Sequence, residues 1–144
     1  MTWPHGQARY LVATAAELRT FKPVPFKMKL DGKTEDQTAM LVAIGNGISY
    51  GGGMKICPDS VLDDGLLDMT VLGAVSKLKF LRSFPGVFKG THVDDASVLQ
   101  YRFKEAEIDA PGQIAYADGE RIGPVPAKVT VRPGAVHVFS PTNA

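Results

Sequence analysis

The chain has little of several things, and each scarcity removes a class of protein. It holds one cysteine, Cys57, in 144 residues. An internal disulfide and a multi-cysteine metal site are both excluded, and a reducing compartment is the expectation. It holds three histidines, His5, His92 and His137, at spacings that make no ligand pair, so a histidine zinc site is not expected. It has no surplus of either charge, with 16 basic and 15 acidic residues. A dedicated nucleic-acid binder normally carries a basic excess, so nucleic acid is not an expected partner. No run approaches the ~20 apolar residues that cross a bilayer. The first residues lack the basic and then apolar stretches of a signal peptide. No segment repeats, and 44% apolar with 22% charged residues is ordinary globular composition. The length suits one core.

The residues that are present read mainly as strands. Ala8 to Phe21 is rich in alanine and spaces Tyr10, Leu11, Ala15 and Leu18 as a helix would, between Pro4-Gly6 and Pro23. Pro25–Leu30 alternates apolar and basic residues and runs into Asp31-Gly32, which predicts a strand entering a hairpin. Thr38–Ile44 is almost wholly apolar, as a buried strand would be, and Leu66–Leu72 is another strand. Ser76 is placed to cap a helix running to about Lys89, bent or broken at Pro85-Gly86. Further strands are expected at Val98–Phe103, Glu105–Asp109, Lys128–Arg132 and Val136–Phe139. The fold class is therefore mainly β: a two-layer, sandwich-like domain with short accessory helices.

Three segments have the residue types for chemistry. In Asp118-Gly119-Glu120, a turn at glycine would aim two carboxylates at one site, one for a cation and one to accept a hydroxyl proton. Asp-Gly is equally a hairpin dipeptide. Asp59 to Asp68 carries four aspartates in addition to Pro58 and Gly65. It can hold a hard cation through carboxylates and carbonyls, or be a solvated acidic turn, and its spacing is not that of an EF-hand. Gly45 to Met54 contains Gly51-Gly52-Gly53, a backbone that can approach a phosphate or merely form a loop. Cys57, between Ile56 and Pro58, reads as packed, and His137 as a strand surface residue. Phe26–Leu30 and Lys77–Lys89 are amphipathic and basic, as membrane-surface segments are. A half-buried strand and a core-packed helix with solvated lysines are the readings preferred for them.

Taken in order, these stretches resemble the C-terminal domain of the diacylglycerol kinase and sphingosine kinase superfamily, in its bacterial soluble branch. The resemblance runs from about Tyr10 to Pro141. It rests on Gly45-Asn46 followed by Gly51-Gly52-Gly53-Met54, on Pro58 through Asp64-Gly65-Leu66-Leu67-Asp68, and on Asp118-Gly119-Glu120. It implies ATP and Mg²⁺ as cofactors and transfer of the γ-phosphate to a lipid hydroxyl, with diacylglycerol favoured. It implies Glu120 as catalytic base, with Asp118, Gly119 and Glu120 at the nucleotide and its magnesium. It implies a structural magnesium held by the Asp64 carboxylate and the carbonyls of Val61 and Leu66. An apolar cavity between sheets would take the acyl chains. The family's Gly-Asp-Gly loop and Gly-Thr-x-Asn-Asp motif do not occur, so a separate N-terminal nucleotide-binding domain is the expected partner and the isolated chain is expected to be inactive. A cytoplasmic location, transient contact with the inner membrane face and a homodimer complete the expectations. The competing reading is a noncatalytic module that binds lipid or organises an oligomer.

Overall fold

The structure, a computed structural model, describes residues 20, 22–50 and 53–139. The helix expected over Ala8–Phe21 lies outside them, apart from the turn residue Thr20. Among the described residues eight strands form two sheets. They are β1 (Val24–Leu30), β2 (Lys33–Gly45), β3 (Leu67–Gly73), β4 (Val98–Phe103), β5 (Glu105–Asp109), β6 (Ile114–Ala117), β7 (Glu120–Pro124) and β8 (Ala127–Thr130). Between β3 and β4 come α1 (Lys77–Ser83), α2 (Gly86–Lys89) and a 3-10 turn at Thr91–Asp94. The large sheet has the order β4-β3-β2-β1-β5-β8, with each pairing antiparallel, and β6-β7 is a separate hairpin.

One linkage sets the shape. Strand β4 is an edge of the large sheet and β5 lies four places away, yet a single residue, Lys104, joins them. The sheet must therefore fold back on itself, and its inner face becomes a shared core. Met28 and Leu30 of β1, Leu67, Met69 and Val71 of β3, Phe103 of β4 and Ala106 and Ile108 of β5 meet there. Their period of two is the strand period, so the alternate residues face outward. Lys27 and Lys29 of β1 are exposed and pair in register with Asp36 and Asp109, and with Thr34 and Glu107. The expected half-buried strand with solvated lysines is what forms.

The corner is fastened by Asp31. Asp31 and Gly32 connect β1 to β2 with φ of 47° and 86°, the left-handed pair that a two-residue hairpin turn requires. The Asp31 carboxylate accepts hydrogen bonds from the Lys104 N–H at 3.0 Å and the Glu105 N–H at 2.9 Å. Its own N–H donates to the Glu105 carbonyl at 3.0 Å.

Strand β2 feeds a core on each face over its second half because of a bulge between Ala39 and Leu41, although Leu41 itself stays exposed. The inserted residue flips the alternation. Ala39 faces the main core before it, and Val42 and Ile44 pack against that core after it. Ala43 turns to the opposite face, where it meets Ile56, Cys57 and Val87 in a second, smaller core. This is why Thr38–Ile44 reads as an unbroken apolar run.

The helical segment behaves as its sequence predicts at its start and break. Ser76 Oγ accepts the Lys79 N–H at 3.2 Å, and the helix stops before Pro85. It does not behave as a core-packed helix throughout. No residue of α1 is buried, whereas Val87 of α2 is. Val136–Phe139 also departs from expectation: it is not a strand. Val131 N–H bonds to the Lys104 carbonyl at 2.9 Å, and a turn at Pro133-Gly134, closed by the Ala135 N–H on the Arg132 carbonyl at 3.3 Å, then redirects the chain. Beyond it Val136 and Val138 find no partner strand among the described residues and stand exposed, so strand propensity alone does not hold the segment, and His137 is exposed without being in a strand.

Candidate functional site

The Asp118-Gly119-Glu120 tripeptide forms the tip of the β6–β7 hairpin. Asp118 and Gly119 are its two loop residues, with φ of 50° and 82°, and Glu120 opens β7 opposite Ala117. Both readings of the tripeptide meet here, since it is a hairpin turn and it also presents two exposed carboxylates at one tip. Gly119 has no atom within 4 Å of where a Cβ would stand, so its positive φ, not crowding, is what selects glycine.

The glycine-rich loop after β2 is held by Tyr50. Its hydroxyl donates to the Ile44 carbonyl, and its backbone N–H bonds to the Met54 carbonyl at 2.8 Å, closing the loop on itself. Burial chiefly, then the neighbouring Cys57 thiol and the Asp118 carboxylate, push the Tyr50 phenol up to about 12 against the opposing hydrogen bond to Ile44. Gly51 and Gly52 lie outside the described residues. Gly53 has φ of 79°. Gly45 is tightly placed, since a Cβ there would come within 3.1 Å of the Gly47 carbonyl and 3.5 Å of Cys57 Sγ.

Beneath the loop, Cys57 is buried as expected. Its thiol lies 3.6 Å from Thr70 Oγ1, and burial first of all raises its pKa. Thr70 Oγ1 donates to the Ile56 carbonyl at 2.8 Å, and His92 Nε2 meets the same carbonyl at 3.0 Å. His92 is therefore a buried structural histidine whose Nδ1 has no hydrogen-bond partner among the described residues.

The acidic segment is organised around Arg102, which residue pattern alone did not single out. Arg102 pairs across β3–β4 with Asp68 at 2.8 Å, reaches Asp64 at 3.8 Å and donates to the Asp59 carbonyl. The hydrogen bond and charge of Asp68 raise the guanidinium's pKa further. Asp64 Oδ1 accepts the Leu66 N–H at 2.9 Å, an Asx turn that orders residues 64–66. Among the described residues no three His, Cys, Asp or Glu side chains converge on a point. A cation here would need carbonyl oxygens in addition to carboxylate. That set would be all oxygen, the donor type of a hard cation, and such an ion would have to share the Asp64 carboxylate with Arg102 and the Leu66 N–H.

An apolar cavity of about 80 Å³ lies between the outer face of the large sheet and the helices. Leu41, Leu72 and Val98 line it from the sheet, and Phe80, Phe84 and Val87 from the helices. It is set between sheet and helix.

Comparison with known proteins decides the family. Residues 1–140 match the model of the YegS C-terminal NAD kinase beta sandwich-like domain. The chain belongs to this family. It is 44% identical over 144 residues to a diacylglycerol kinase of Mycobacterium tuberculosis, covering 99% of the chain and 47% of the relative. It is 26% identical over 137 residues to a diacylglycerol kinase of Bacillus subtilis, covering 94% and 45%. The chain thus spans about half the length of the curated relatives it matches. Among solved structures, a Bacillus anthracis protein assigned to the diacylglycerol kinases superposes with a TM-score of 0.65 at 25% identity, over 83% of the chain and 41% of that protein. The sandwich-like β fold and the lipid-kinase family expected from the ordered glycine, Asp-Gly-Leu and Asp-Gly-Glu segments are both upheld.

Proposed function

We propose that this domain supplies the lipid side of an ATP-dependent lipid kinase, acting on the hydroxyl of diacylglycerol together with a nucleotide-binding domain. The observation that carries the reading is the exposed Asp118-Gly119-Glu120 tip in a chain 44% identical to a diacylglycerol kinase.

In this reading Glu120 is the general base. Its carboxylate takes the hydroxyl proton as the lipid oxygen forms a bond to the γ-phosphorus of ATP and the β–γ bridging bond breaks, releasing ADP. Asp118 and Gly119 place that carboxylate through the left-handed turn, and the Asp118 carboxylate would help to hold the nucleotide through its magnesium. Magnesium, when bound at phosphate, supplies charge neutralisation. A second magnesium held by Asp64 and the carbonyls of Val61 and Leu66 would be structural. It would stiffen the Asx turn that leads into β3.

The test is a Glu120→Gln substitution in the chain joined to its nucleotide-binding domain, assayed for phosphatidic acid formation. Loss of a general base is expected to lower turnover by about 10²- to 10⁴-fold. The unfolding midpoint should stay unchanged, because the side chain is exposed. Unchanged turnover would overturn the assignment and leave the noncatalytic lipid-binding or oligomer-forming module as the better reading.

A further inference from the structure

Arg102 sits on the edge strand β4 and serves three separate points of the acidic loop that leads into β3. The register of the two strands sets it opposite Asp68. Its Nε donates to Asp68 Oδ1 at 2.8 Å, its Nη2 donates to the Asp59 carbonyl, and its Nη1 lies 3.8 Å from Asp64 Oδ2. The three contacts are unequal. The Asp68 pair is a short hydrogen bond to a buried acid. The Asp64 pair is too long for a hydrogen bond and rests on charge alone. Asp64 Oδ1 is taken by the Leu66 N–H at 2.9 Å, so Oδ2 is the carboxylate oxygen left for another cation. A divalent ion on that oxygen would have the guanidinium as its neighbour. Like charges at such range repel, and arginine does not shed its proton. Relief has to come from movement.

The structure holds a place for that movement. Asp68 is 7% exposed, and its Oδ2 is buried and accepts no hydrogen bond among the described residues. An unpaired buried carboxylate oxygen is costly, and the planar arginine fork is built to close on both oxygens of one carboxylate. Half of that fork is already made, with Nε on Oδ1. When Nη2 leaves the Asp59 carbonyl for Asp68 Oδ2, the fork is complete. Asp68 is then satisfied, and the Asp59 carbonyl and Asp64 Oδ2 are both released.

We propose that Arg102 is an exchangeable internal cation. It holds the loop from Asp59 to Asp68 when no metal is bound, and it yields Asp64 to a divalent cation by closing onto Asp68. The proposal deepens the lipid-kinase reading and rests on its magnesium at Asp64. Metal affinity at that site is then set by a residue that is not a ligand, and the loop is held both with and without the ion.

The experiment titrates Mg²⁺ into the 144-residue chain by calorimetry at fixed ionic strength, for wild type, Arg102→Gln, Arg102→Lys and Asp64→Asn. Arg102→Gln removes the competing charge and should bind Mg²⁺ about tenfold more tightly, an effect kept to that size because the Arg102 side chain is 44% exposed and water screens the repulsion. Arg102→Lys keeps the charge and should bind within about threefold of wild type. A second measurement needs no variant to fold. In arginine-selective ¹⁵N spectra of the wild type, the Arg102 Nη resonances should move with the same apparent affinity while the Nε–H stays hydrogen-bonded. Weaker or equal binding by Arg102→Gln, a lysine variant as tight as the glutamine one, or Arg102 resonances that stay still as Mg²⁺ binds overturns the proposal. Its failure is distinct from failure of the magnesium reading. Equal binding by wild type and Arg102→Gln that is lost in Asp64→Asn overturns the exchange alone. No binding to either chain overturns both together, and neither result touches Glu120, which turnover tests.

Discussion

Replacing Asp31 tests whether a hairpin turn holds the folded-back sheet together. Its carboxylate accepts two backbone N–H groups, those of Lys104 and Glu105, at the one-residue connection between β4 and β5. Hydrogen bonds to a charged acceptor contribute more than neutral ones, but this acceptor is exposed and water can replace part of each bond. A net loss of about 1 kcal/mol per bond, so about 2 kcal/mol in all, is expected when the carboxylate is removed. Asp31→Ala adds a second cost, because φ is 47° and alanine resists the left-handed region by about 1 kcal/mol. Asp31→Gly removes the carboxylate without that strain. The two variants therefore separate the terms: Ala should lose about 3 kcal/mol and Gly about 2 kcal/mol. At this chain length that corresponds to falls of roughly 9 and 6 °C in the thermal midpoint. Asp31→Asn keeps an acceptor oxygen and tolerates the φ, so it should fall least. Thermal unfolding by circular dichroism reads all three. A glycine variant as stable as wild type would show that the carboxylate does not fasten the corner.

The other predictions concern the site. The Tyr50 phenol should titrate near 12, followed by absorbance at 295 nm, against an ordinary value of 10. Because its folded pKa is the higher one, the unfolded chain ionises first as pH rises. Tyr50 therefore favours the fold fully below pH 10, and this contribution is lost between about 10 and 12. Tyr50→Phe should flatten that alkaline loss, and an unaltered profile would show that Tyr50 is not its source. Added Mg²⁺ should stabilise the chain by about 1.4 kcal/mol at ten times its dissociation constant. Asp64→Asn should abolish the shift, and a shift that survives in the variant would place the ion elsewhere.

What was legible in the residues was what depends on neighbours along the chain. Alternation in Phe26–Leu30, the Ser76 cap, the break at Pro85 and the two Asp-Gly turns each act within a few residues, and each forms where the pattern puts it. The bulge at Ala39–Leu41 was hidden because an apolar run has no alternation to reveal a change of face. Arg102 was hidden for a different reason. Its partners Asp59, Asp64 and Asp68 are 34 to 43 residues away and are brought to it only by the β3–β4 register and the loop before β3. Val136–Phe139 shows the converse: a good strand pattern forms no strand where the sheet offers it no neighbour.

The same distinction governs the candidate site. Asp118-Gly119-Glu120 was readable as a tripeptide, but its local reading was divided between a turn and a pair of functional carboxylates. The turn is what forms. A left-handed turn is the geometry that places an aspartate in the loop and a glutamate at the first position of the returning strand, so that both carboxylates stand at the tip. The Asp118 charge also raises the Tyr50 phenol, as the smallest of the four influences on it. An Asp118→Asn change would remove that charge and keep the turn. A tip lacking the turn, as in Gly119→Val, would instead force φ of 82° on a β-branched residue and misdirect Glu120 while leaving its charge in place. Position and charge are thus separable at this site, and the chemistry assigned to Glu120 depends on both.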